Sequence, residues 1–304
     1  MIGYLDLRHE RTFWHHRSGW AYAIRSLEGL NNPAGVKFFG FLDLDLLEDT
    51  IIREKFVGVI HNPLFVPADF GYKYMTNPGL YRTFLSTKWK THESNCLGLY
   101  TLSKDLAGKV SDFVSCPVES LYHPIEGVNL KFSYKDYVSS GGVLHLGQWM
   151  RRFDSFYRLR LNRPKYLLSI PDDCKPDGWD GITVLDWVPH QKLDKLLSFN
   201  VVFNHFFDVS ACNAVLDCII RNTPIVTNRL PANEEYLGKD YPLFFDRLHE
   251  AEDILRDDAR ILLGHKYLAK MDKSHLTGSH FLKSLYEGKI YQNLLNSRRE
   301  FKLV

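Results

Sequence analysis

A chain of 304 residues is long for one hydrophobic core, and two domains of about 150 residues are expected. Its composition, 45% hydrophobic and 24% charged, is globular and excludes a disordered or fibrous chain. A net charge of +2, with no long basic run before "SRREFK" (297–302), argues against a dedicated nucleic-acid binder. The five cysteines (96, 116, 174, 212 and 218) are odd in number and lack C-x-x-C spacing, which fits a reducing cytosol. The chain opens on "MIGYLDL", read as a strand and not as a signal sequence, and no run of 18 apolar residues occurs. A cytoplasmic protein without a transmembrane segment is expected. The basic end is read as a solvated helix tail, with weak membrane association as the lesser alternative.

Short apolar runs recur along the first half: "IGYLDL" (2–7), "GVKFFGFLDL" (35–44), "KFVGVIH" (55–61), "LGLYTL" (97–102) and "VESLYH" (118–123). Helical patterns separate most of them, among them "GWAYAIRSLEGL" (19–30) and "SKDLAGKVSDF" (103–113), the latter with Ser103 as N-cap. "LDLDLLED" (42–49) holds the acid-x-acid pair Asp43 and Asp45, a weak match to the motif of metal-dependent sugar transfer, and is read as a strand end and turn. "NLKFSYKDYVSSGG" (129–142) is polar and turn-rich and reads as a linker. The alternation then restarts with "VLHLG" (143–147), "KYLLSI" (165–170), "ITVLDWV" (182–188), "NVVFNHF" (200–206), "PIVTN" (224–228) and "PLFF" (242–245). Strand–helix alternation of this kind predicts parallel sheets flanked by helices. The expected architecture is α/β, two Rossmann-like doubly wound domains facing a cleft. They are placed at 1–135 and 136–275, with a helical stretch, 276–304, crossing back to the first.

In open α/β sheets ligands bind beyond the carboxyl ends of strands, so the strand ends are where chemistry is sought. "VLHLG" ends in Gly147, which lets the backbone turn sharply, and Arg151 and Arg152 follow within reach of a diphosphate. "SACNAVLDCIIRNTPIVTN" (210–228) supplies a helix whose apolar stripe is Ala211, Ala214, Val215, Cys218 and Ile219. Its polar stripe is Ser210, Asn213 and Asp217. Ser210 suits an N-cap over an anion-binding helix terminus, and Asp217 suits a ribose diol; the plainer reading pairs Asp217 with Arg221 at i+4. "LPANEEYLG" (230–238) places Glu234 and Glu235 at the next strand end, either as ordinary first-turn acids or against the sugar. In the first half His61 and Asn62 of "HNP" end a strand, and Ser18 and Gly19 start a helix after the loop holding His9, His15 and His16. That loop lacks zinc-helix spacing.

With "SGW", "HNP", "LYHP", "LGQWMRR", "DVSACNAVLDCIIRNTPIV" and "LPANEEYLG" in this order, the chain resembles the metal-independent glycosyltransferases of the GT-B fold. It is similar to the large retaining group (family 4-like, group 1). The resemblance implies transfer of a sugar from a UDP- or GDP-sugar donor to a glycan or other hydroxyl acceptor, retaining, with no metal and no cofactor. It implies that Asp217 holds the donor ribose and that Arg151 or Arg152 meets the diphosphate. Gly147, Ser210, Asn213 and Glu234 complete the donor set. Glu235 and His61 are the catalytic candidates, and Ser18, Gly19 and Asn62 line the acceptor side. The group's first glutamate falls on Val209, with Asp208 beside it.

Three rivals remain. A periplasmic-type sugar-binding protein would need export. A nicotinamide oxidoreductase would need a glycine-rich turn where "DLRHERTFW" stands. A nucleotide-sugar epimerase or phosphorylase-type enzyme of the same fold is the nearest alternative.

Overall fold

The computed structural model describes residues 3–7, 19–47, 51–67, 80–168 and 181–301; Ser18, His9, His15 and His16 lie outside them. The chain forms two compact units, one of residues 1–66, 77–126 and 274–304, the other of 67–76 and 127–273.

The first unit is built on a parallel sheet of β1 (Leu5–Asp6), β2 (Val36–Phe39), β3 (Phe56–Ile60), β4 (Cys96–Thr101) and β5 (Val118–Ser120), side by side in chain order. Its helices are α1 (Trp20–Ser26), α2 (Leu42–Leu47), α3 (Leu80–Leu85), α4 (Thr87–Glu93), α5 (Lys104–Ser111), α13 (Gly278–Glu287) and α14 (Lys289–Phe301). They cover both faces. Gly58 pairs with Leu99 and lies under Leu42 of α2, whose side chain leaves no room for a Cβ. Gly98 pairs with Val57 and so faces the other way, where a Cβ would meet Ile290 of α14 at 2.7 Å. Ser103 caps α5 by accepting from the Leu106 N–H.

Two sequence expectations need correction here. The run 35–44 is strand only to Phe39, and Asp43 and Asp45 sit in the first turn of α2, not in a strand end and turn. "LDLDLL" alternates at period two, which imitates a strand, but acids in a first helical turn are favoured by the dipole. The linker at 129–142 contains α6 (Tyr134–Ser140), started by Ser133, which accepts from the Asp136 N–H, and anchored by the fully buried Tyr137.

The second unit has a six-stranded parallel sheet: β6 (Val143–Leu146), β7 (Lys165–Leu168), β8 (Ile182–Leu185), β9 (Val201–Asn204), β10 (Ile225–Asn228) and β11 (Phe244–Phe245). The spatial order is β11-β10-β9-β6-β7-β8. The chain therefore winds outward in one direction from β6 and in the other from β9, and the switch point lies between those two neighbours. Helices α7 (Phe153–Arg158), α8 (His190–Phe199), α9 (Asn213–Arg221), α10 (Pro231–Leu237), α11 (Leu248–Arg256) and α12 (Asp258–Lys270) complete the unit.

Within it, α9 and α8 are joined by a buried ion triad. Arg221, 0% exposed, donates from Nη1 to Asp217 Oδ1 at 2.8 Å and from Nε to Asp194 Oδ1 at 3.2 Å, with a shorter bond from Nη2 to the same oxygen. Both carboxylates are buried. Arg221→Leu would leave two buried carboxylates without their cation and is expected to cost about 3–5 kcal/mol, read as a lower urea midpoint with unchanged slope. A variant as stable as the parent would show that the triad is dispensable.

Candidate functional site

The switch point of the second sheet is held open by side chains. Ladder pairing of β6 with β9 stops after Leu144 and Val202. Beyond it the buried Asn204 amide takes over, accepting from the Leu146 N–H at 3.4 Å and donating to the Leu146 carbonyl at 3.1 Å. Asn228, at the end of β10, does the same for Phe206, accepting from its N–H at 2.9 Å and donating to its carbonyl at 3.1 Å. The two loops leaving the switch point are joined directly: Arg152 N–H donates to the His205 carbonyl at 2.7 Å, and Phe207 N–H to the Met150 carbonyl at 3.0 Å.

The first of these loops is a forced turn. Gly147 has φ +89°, and a Cβ there would meet Arg151 Nη2 at 2.6 Å. Met150 has φ +58°, a left-handed conformation that costs a non-glycine residue of order 1–3 kcal/mol. The result is to fold Arg151 inward, 9% exposed. Its guanidinium stacks 4.7 Å from the centroid of Phe206, donates to the Trp149 carbonyl, and points Nη2 at Cys212 Sγ, 3.1 Å away. Nε is buried without a partner, and among the described residues no carboxylate pairs with this cation. Arg152 lies flat on Phe207, 3.8 Å from the centroid, and its guanidinium donates no hydrogen bond to the described residues.

Cys212 is the N-cap of α9 and offers no side-chain cap, so the cap is not Ser210, which is buried two residues earlier. Cys212 has the extended backbone that starts the helix. Asn213 is the first helical residue and is half-buried. A buried guanidinium thus sits at the positive end of a nine-residue helix. Two like-signed features meet where no carboxylate pairs with the guanidinium among the described residues.

The other second-unit candidates are placed as follows. Asp217 is 4% exposed and belongs to the triad with Arg221, so the polar stripe of α9 does not face water. Glu234 pairs with Arg229 at 2.6 Å, and Glu235 is half-buried in α10 after β10. Asp208 Oδ1 accepts from the Val209 N–H at 2.8 Å. Sequence reasoning missed Asn204, Asn228 and His145. The asparagines show only as a polar residue closing an apolar strand. His145, in β6, is fully buried against Phe153 and Phe156 with neither ring nitrogen hydrogen-bonded.

The first unit gathers a second cluster at its strand ends. Gly19 is the N-cap of α1, and Trp20 behind it is 2% exposed. The His61 ring stacks on Phe41 (4.1 Å, 12°) and takes the edge of Trp20 (4.6 Å, 85°). Its Nε2 lies 2.5 Å from the Gly40 carbonyl. A carbonyl only accepts, so Nε2 carries the proton and Nδ1 keeps its lone pair. Burial pushes His61 down to about 4. Asn62 donates from its backbone and side chain to Asp43 Oδ2 at 3.0 and 2.5 Å. His123, following β5, packs on Trp20 and is also lowered to about 4, by burial and then by His61.

No family model and no curated protein sequence matches the chain. Solved structures do. It aligns with HepE of Anabaena bound to UDP and glucose at TM-score 0.60 and 10% identity, over 88% of this chain and 80% of that one. It aligns with the pneumococcal O-GlcNAc transferase GtfA bound to UDP and GlcNAc at TM-score 0.58 and 9% identity, over 91% and 60%. The sucrose-phosphate synthase of Thermosynechococcus elongatus gives 0.54 and 12% identity, over 88% and 73%. The chain has the GT-B fold. Among the described residues of this GT-B chain no group of three or more His, Cys, Asp or Glu side chains is placed to hold a metal ion, and no helix is long and apolar enough to cross a membrane.

Four histidines, His61, His123, His145 and His205, have folded-state values lowered to about 4, 4, 3 and 4, chiefly by burial. Unfolded histidine takes its proton near 6.5, so below that pH the unfolded chain binds more protons and stability falls. Asp43, raised by burial to about 6, opposes this with one proton gained by the folded state. The melting temperature is therefore expected to drop between pH 6.5 and 4, each uncompensated proton contributing about 1.4 kcal/mol per pH unit. A flat melting temperature over that window would contradict the burial of these rings.

Proposed function

We propose that this GT-B chain is a nucleotide-sugar-dependent glycosyltransferase, metal-independent and retaining, acting on a glycan or other hydroxyl acceptor. The observation that carries the reading is Arg151, a buried cation without a counter-charge among the described residues, at the switch point of the second sheet and at the N-terminus of α9. A nucleoside diphosphate supplies the missing negative charge. Arg151 binds it from below, and Arg152, held on Phe207, binds it from the more open side. As the bond from the anomeric carbon to the diphosphate breaks and the bond to the acceptor oxygen forms, negative charge grows on the leaving group, where the guanidiniums are fixed in advance. Gly147, Ser210 and Asn213 complete the diphosphate site, and Asp217 is assigned to the ribose.

Glu235 is assigned to the sugar, where a carboxylate steadies positive charge at the anomeric carbon. Glu234 is tied to Arg229 and serves to hold α10. In the first unit, His61 is assigned to a sugar hydroxyl, which its Nδ1 lone pair accepts; neutral at pH 7, it is not a proton donor there. Gly19 and Asn62 belong to the acceptor side.

Arg151→Met tests the central assignment, because structure and function move in opposite directions. Removing an unpaired buried cation should leave the melting temperature unchanged or raise it. Calorimetric affinity for UDP or GDP should fall by about 1.5–3 kcal/mol, as for a lost charged hydrogen-bond partner. Unaltered affinity in a folded variant would reject the site. Transfer should persist in EDTA; loss restored by Mn²⁺ would reject metal independence. Glu235→Gln and His61→Ala should lower kcat far more than nucleotide affinity, and NMR of the product decides retention.

A further inference from the structure

The strongest unexplained group outside the anion site is Asp43. It is 0% exposed, and no Lys or Arg pairs with it among the described residues. Its Oδ1 is buried without a hydrogen bond, while Oδ2 accepts three: from His61 N–H at 3.3 Å, Asn62 N–H at 3.0 Å and Asn62 Nδ2 at 2.5 Å. A buried carboxylate with no cation is an expensive way to satisfy two loop amides, since water or a neutral acceptor would serve an exposed loop. All three donors come from one dipeptide, the exit of β3. The same β2–α2 elbow also fixes the His61 ring, by the Gly40 carbonyl at Nε2 and by Phe41 stacked on its face. Backbone, ring edge and ring face of His61 are therefore all set by residues 40–43.

We infer that Asp43 is a positioning residue for sugar transfer: it holds the His61–Asn62 exit of β3 so that His61 Nδ1 and Asn62 are presented to the substrate hydroxyl in one fixed orientation. Asp43 of the acid-x-acid pair thereby has a role that involves no metal. This rests on the assignment of His61 made above.

Three variants, Asp43→Ala, Asp43→Asn and His61→Ala, are compared with the parent for kcat, acceptor KM, UDP affinity and melting temperature. Asp43→Ala should lower kcat at least 10-fold with UDP affinity unchanged within twofold. Asp43→Asn, which keeps an acceptor oxygen for the loop amides, should recover most of that loss. Adding His61→Ala to Asp43→Ala should cost little more than either change alone. Wild-type kcat in folded Asp43→Ala beside an impaired His61→Ala overturns the Asp43 inference and leaves the His61 assignment standing. Wild-type kcat in His61→Ala overturns both. If Asp43→Ala does not fold, Asp43→Glu carries the test: it keeps the charge but moves the oxygens by one methylene, so kcat should still fall, and an unchanged kcat overturns the proposal.

Discussion

The constraint that organises the second unit is the burial of Arg151 with no carboxylate partner among the described residues. Taking a guanidinium out of water costs several kcal/mol even after relaxation, and its neighbours here are neutral: a carbonyl, a thiol and a phenyl face. Much of the local backbone is arranged to keep it there. Gly147 leaves the volume that the guanidinium occupies, and Met150 accepts a left-handed conformation to turn the chain. The Asn204 and Asn228 amides replace ladder bonds where the sheet divides. Strain, a costly charge and a divided sheet coincide in one place.

Arg221 shows how the same fold treats an arginine whose role is structural. It is buried still more deeply, yet it meets two carboxylates, Asp194 and Asp217, on two helices. The two arginines lie at opposite ends of α9: Arg221 in its last turn, where the dipole favours a cation, and Arg151 at its start, where the dipole opposes one. The contrast also explains the polar stripe of α9. Asp217 serves the helix packing through Arg221 whatever else it touches, so a change there perturbs stability as well as binding.

Much of the fold was legible in the sequence, because parallel strands buried on both faces read as apolar runs. What escaped has physical reasons. "LDLDLL" carries a period-two pattern, so α2 was hidden, and with it Asp43's reach to Asn62, 19 residues away in the chain. "KDYVSS" has one buried anchor, Tyr137, too little for a visible apolar stripe. Asn204 and Asn228 act through register across the sheet, which no local pattern encodes. Nor could spacing show that Arg221 would have two carboxylates and Arg151 none; that difference is purely tertiary.

The first unit solves a different electrostatic problem. Its strand-end cluster is made of neutral groups: an imidazole kept uncharged by burial, an amide, an indole and a phenyl ring. Asp43, a charge beneath them, spends its hydrogen bonds on the loop that presents them. A hydroxyl asks for directional acceptors and an apolar face, which these groups supply. The second unit, by contrast, sets the guanidiniums of Arg151 and Arg152 against the rings of Phe206 and Phe207. The depressed pKa of His61 follows from its burial, against which the Gly40 carbonyl that aims the ring works in the opposite direction.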